Sequence, residues 1–107
     1  MNLPRLILKK LREEHVGRDN AIKREHLLSW LQDQGATIDD RAMRAIVETM
    51  PVICSCERGY FIADKPEDVE YSILYIKKKA IPLLKKIRDK KQAYPQFYTG
   101  EQLELEI

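Results

Sequence analysis

The sequence predicts a mainly α-helical chain with one small β-hairpin and a long C-terminal helix. Three observations carry this reading. Two short segments with helical apolar spacing flank Gly35, and composition turns β-branched and aromatic after Pro51, around Gly59. An apolar stripe then runs from Val69 to Ile87.

Residues 3–14 place Leu3, Leu6, Ile7 and Leu11 on one face, with Lys9, Lys10, Arg12, Glu13 and Glu14 on the rest, which predicts a first amphipathic helix. Residues 15–20 contain Gly17 and Asn20 and read as a loop leading to Ala21-Ile22. A second helix is expected over 23–34, where Leu27, Leu28 and Leu31 share a face with Trp30 beside them. Gly35 closes it, because glycine takes the left-handed conformation after a helix at little steric cost. The turn Gly35-Ala36-Thr37-Ile38 leads to a third helix, 39–50, with Thr37 or Asp39 as the cap and an apolar stripe of Met43, Ile46, Val47 and Met50. Pro51 ends it.

Residues 51–63 read as a hairpin, with Gly59 at positive φ in a loop of three to five residues and Tyr60, Phe61 and Ile62 on the return strand. Cys54 and Cys56 alternate with one residue between, so they point to the same side of a strand and read as reduced, packed thiols. Residues 64–68 supply Pro66 and carboxylates where a helix starts. From there Val69, Ile73, Ile76, Ala80, Leu83, Leu84 and Ile87 sustain a helix to about Lys91. Pro82 removes one hydrogen bond and clashes with the preceding turn, so a kink near residues 78–82, or a break into two helices, is expected. Residues 94–100 end helical order, and 101–107 alternate Leu103, Leu105 and Ile107 with glutamates, as an edge strand or a disordered tail would. The organisation is a core over 1–65, an appended helix over 66–93 and a tail over 94–107.

The 107 residues suit one domain with a modest core. A net charge of +2 is too mild to define a partner, but residues 77–91 hold eight basic side chains against Asp89. Glu101, Glu104 and Glu106 answer them at the end of the chain. No apolar run reaches the roughly 20 residues that span a bilayer, and the first residues lack a signal-peptide core, so a soluble, cytoplasmic protein is expected. The cysteine spacing is neither C-x-x-C nor suited to a mutual disulfide. His15 and His26 have no partner at nucleophile–base spacing, Ser29, Ser55 and Ser72 sit in no G-x-S-x-G context, and the four glycines are isolated. The expectation is therefore a protein that is not an enzyme and uses neither cofactor nor metal.

Helix, turn, helix and hairpin in this order, over roughly residues 3–63, resemble the winged helix-turn-helix superfamily, in particular small DNA-binding proteins of phages and bacterial genomes. The resemblance implies that a short strand at Ile22 pairs with the hairpin, or wing. It implies that helix 39–50 enters the major groove of double-stranded DNA, with Thr37 at its start. Asp40, Arg41 and Arg44 lie off the core stripe of that helix, and the two arginines are suited to guanine O6 and N7 or to phosphate. Lys23 and Arg24 would face the DNA backbone, and Arg58, beside Glu57, would sit at the wing tip. The implied role is a transcriptional regulator or phage accessory factor. It would be a homodimer through Ile76, Leu83, Leu84 and Ile87 of the appended helix. Three alternatives stand beside these: Asp40 and Arg44 as a solvated pair at i, i+4, the long stripe packing along the first helix of its own chain, and a winged-helix module that binds a protein rather than DNA.

Overall fold

Caps and turns divide the chain where the sequence indicates, in a computed structural model that describes residues 1–97. The elements are α1 (Leu3–Glu14), a 3-10 turn (Arg18–Asn20), α2 (Arg24–Asp33), α3 (Asp40–Glu48), β1 (Ile53–Cys56), β2 (Gly59–Ile62) and α4 (Pro66–Ala93). The fold is thus mainly helical, with a two-strand antiparallel hairpin and a long last helix. Among the described residues no helix is long and apolar enough to cross a membrane. The expected edge strand or disordered tail over 101–107 lies outside the described residues, and residues 95–97 form a turn.

The α2–α3 turn is fixed by backbone and side-chain hydrogen bonds together. Gly35, at φ +97°, lets the Ala36 N–H reach Leu31 O (3.0 Å) while its own N–H reaches Gln32 O (3.0 Å), the paired closure of a Schellman motif. Gln32 Nε2 also donates to Ile38 O at 3.1 Å. Asp39 then caps α3, its carboxylate accepting from the Ala42 N–H at 2.8 Å. Ile7 and Leu11 of α1, Leu27 and Leu31 of α2, and Met43 and Val47 of α3 form the buried core. Burial of each is worth about 1.5–3 kcal/mol, so this cluster is what holds the three helices together.

The hairpin joins this core through its backbone. The register pairs Ile53 with Ile62 and Cys56 with Gly59, which leaves only Glu57 and Arg58 in the turn. Gly59 is therefore not in a longer loop, as the sequence suggested, but is the first residue of β2, at φ +122°. Its role is close approach. Ile22 exchanges two 2.9 Å backbone hydrogen bonds with Tyr60, and a Cβ on Gly59 would overlap the Ile22 carbonyl and lie 2.6 Å from its carbon. Further along β2, Ile62 accepts from the Gly17 N–H (2.7 Å) and donates to His15 O (2.9 Å). The edge of β2 is thus covered by the α1–α2 connection.

Because strand side chains alternate, the hairpin packs both ways. Ile53, Tyr60 and Ile62 meet the helical core, whereas Cys54, Cys56 and Phe61 form a second buried cluster with Ala21, Ala63 and Tyr71. Both cysteines are free and buried, and burial pushes the Cys54 thiol up.

The start of α4 meets the hairpin with its polar side. Ser72 is buried, and its hydroxyl accepts from the Ser55 N–H at 2.9 Å. Asp68, only 6% exposed, accepts from the Asp64 N–H at 3.0 Å. Val69 and Ile73, the first members of the apolar stripe, are exposed instead of packing on α1. The chain separates into two compact units, Met1–Tyr75 and a second from Ile76 onward, so the first ten residues of α4 belong with the helical core. Helix α4 runs through Pro82, and the alternative of two separate helices is not realised.

Gly59→Ala should destabilise the protein by about 2 kcal/mol or more, through the strained φ and the displaced Ile22 backbone. A thermal melt should show a Tm lower by roughly 10 °C. An unchanged Tm would contradict the close approach. Both cysteines should resist a disulfide reagent such as DTNB in the native protein and react fully in denaturant. Labelling at the rate of a free thiol without denaturant would contradict their burial.

Candidate nucleic-acid interface

The buried stripe of α3 sets its outer face. With Met43 and Val47 inward and Ile46 half-buried, Arg41, Ala42, Arg44, Ala45 and Glu48 are exposed. The start of α2 lies against this face through one carboxylate. Asp40 Oδ1 receives Arg24 Nε at 2.9 Å, and its Oδ2 receives Arg44 Nε at 3.0 Å. The expected solvated pair of Asp40 and Arg44 thus forms, and Arg24 joins it from another helix.

The three side chains retain between 37% and 49% of their exposure, where each pair is worth about 0–1 kcal/mol. The bridge orients the guanidiniums without locking them. Lys23, the residue before α2, and Thr37, in the turn before α3, are exposed on the same two elements. Arg41 is exposed, and no ion pair or hydrogen bond of its side chain is found among the described residues.

Tyr60, which strand composition places only on the return strand, borders this cluster. Burial is the main cause that raises its hydroxyl pKa, and the charges of Arg24, Asp40, Arg44 and Glu48 all act on it. The phenol therefore stays protonated at neutral pH and is able to donate a hydrogen bond. Its pairing with Ile22 could have been a sequence signal, since both belong to the expected short-strand contact.

Arg58 behaves differently from the rest. Its guanidinium reaches Asp19 at 3.1 Å, with both side chains exposed. Its neighbour Glu57 accepts hydrogen bonds of 2.9 Å from the Tyr71 hydroxyl. Glu57 is held below the usual carboxylate range, first by its own backbone N–H and then by Tyr71. The Arg18 guanidinium lies 4.0 Å from the Tyr71 ring centroid. The hairpin tip is thereby tied to the 3-10 turn and to α4, and Arg58 is not joined to the Arg24–Asp40–Arg44 cluster.

Residues of the 3-10 turn and the start of α4 also line an open cleft of about 510 Å³. Asp19, Asp64, Glu67, Asp68 and Glu70 face it against Arg18 and Lys65, a balance that repels phosphate. Of the residues expected at a dimer interface, Ile76, Leu83 and Ile87 are exposed and Leu84 is half-buried.

Comparison of the chain with protein-family models, with curated proteins and with solved structures finds no match.

Asp40→Asn should leave stability within about 1 kcal/mol of the parent, because the pairs it breaks are solvent-exposed. Chemical denaturation measures this directly, and a loss of several kcal/mol would show that the bridge holds α2 to α3.

Proposed function

We propose that the protein binds double-stranded DNA through the exposed face of α3, with Lys23 and Arg24 on the phosphate backbone and the hairpin beside the duplex. The observation that carries this reading is the convergence on Asp40 of arginines from the start of α2 and from α3. A positioning group and a reading group then lie on one surface, as a groove-bound helix requires. Ala42 and Ala45 on the outer face keep side chains short, which favours close approach of α3 to base edges.

In this mechanism phosphate oxygens displace the Asp40 carboxylate from Arg24, an exchange that costs little because the surface pair is weak. Arg44, whose own exposed pair with Asp40 is equally weak, and Arg41, which has no ion pair among the described residues, reach guanine O6 and N7 or a phosphate. Arg58 would add a backbone contact only by leaving Asp19. A role as a regulator or phage accessory factor follows from the winged-helix resemblance. A second reading, a protein-binding module, is favoured by Asp40 and Glu48, which place negative charge on the same face.

Fluorescence anisotropy with duplex selected from a random pool tests the proposal. Arg41→Ala and Arg44→Ala should each weaken binding to the selected site by about 1–3 kcal/mol. Lys23→Ala should weaken all sequences alike and reduce the salt slope by about 1. Asp40→Asn should strengthen binding by removing the competing carboxylate. Unchanged affinity in the Arg41/Arg44 double variant, with the helical circular dichroism intact, would overturn the DNA reading in favour of the protein-binding one.

A further inference from the structure

Six apolar side chains of α4, Val69, Ile73, Ile76, Ala80, Leu83 and Ile87, recur at alternating intervals of four and three residues. That is the a/d pattern of a coiled-coil seam, with a period of 3.5. None of the six is buried, and in the part of the helix from Ile76 onward Ile76, Leu83 and Ile87 are 54%, 60% and 45% exposed. Pro82 occupies a position away from the seam, so its ring does not obstruct a helix lying along it.

The flanks of the seam state what kind of helix fits. In this register the e and g positions are Glu70, Ser72, Lys77, Lys79, Leu84, Lys86 and Lys91, four lysines and one carboxylate. In a parallel pair of identical helices Lys86 would face Lys91 of the second copy. In an antiparallel pair that aligns the six apolar residues, Lys77 and Lys79 would meet their own counterparts. Like charges at these positions oppose association. We infer that α4 is one half of a heteromeric coiled coil, whose partner is an amphipathic helix of another protein with glutamate or aspartate at its e and g positions.

Two other occupants fit the chemistry less well. An amphipathic helix on an anionic membrane carries Trp, Phe or Leu on its apolar face, whereas the seam has no Trp or Phe and a single Leu. DNA favours basic residues on one face, but Lys77, Lys78, Lys79, Lys85, Lys86, Arg88, Lys90 and Lys91 surround α4.

The test uses the full chain and two synthetic peptides of about four heptads, each with Ile at a and Leu at d, one with Glu and one with Lys at every e and g position. Isothermal titration calorimetry should show binding of the Glu peptide at least tenfold tighter than the Lys peptide, and weakening as salt rises. Leu83→Ser combined with Ile87→Ser should reduce that affinity at least tenfold, while unfolding of the helical core is unchanged. The protein alone should sediment as a monomer at about 100 μM, a concentration that would reveal weak self-association. Self-association abolished by the same double variant would assign the seam to a second copy. Seam-dependent flotation with vesicles of phosphatidylserine and phosphatidylcholine would assign it to a membrane. Equal binding of the two peptides, or none, would also overturn the proposal.

Discussion

The backbone pairing of Ile22 with Tyr60 is the contact on which the arrangement depends. It requires Gly59, since any side chain there would occupy the space of the Ile22 carbonyl. Through it the segment between α1 and α2 becomes a third partner of the hairpin, and the next two residues are Lys23 and Arg24. The start of α2 is thus held beside β2 by backbone hydrogen bonds, independently of side-chain interactions. The weak bridge from Arg24 to Asp40 is able to form because the backbone has already brought its partners within reach. A surface ion pair alone would not position these helices.

The hairpin passes this order on to α4. Cys54, Cys56 and Phe61 present a small buried surface, and the backbone N–H of Ser55 needs an acceptor that Ser72 supplies. A helix that satisfies those demands turns Asp68, Tyr71 and Ser72 towards the hairpin. On a 3.6-residue period the residues one position beyond, Val69 and Ile73, then point elsewhere. Val69 and Ile73 are therefore left open by the geometry of this docking.

Much of this was legible in the sequence because it is local. The Schellman closure at Gly35, the Asp39 cap, the stripes of α1 and α3 and the alternation of Cys54 and Cys56 all depend on residues a few positions apart. The Arg24–Asp40 and Asp19–Arg58 pairs were not legible, because each joins residues 16 or more positions apart whose meeting depends on the complete fold. Asp40 with Arg44 was readable as a pair, but not its capture of Arg24. The positive φ of Gly59 is a local property of the hairpin, whereas its close contact with Ile22 depends on the three-dimensional fold. Spacing on α4 revealed a stripe, but not that the buried side would be the polar one.

Amide chemical-shift mapping of the full chain during titration with duplex DNA tests the central proposal most directly: that the Ile22–Tyr60 junction holds the start of α2, α3 and β2 in one surface, proposed to bind DNA. The largest shifts should fall on residues 22–24, 37–45 and 60, with residues 76–93 of α4 little changed. Shifts confined to α4, or the absence of any specific pattern on α3, would contradict it.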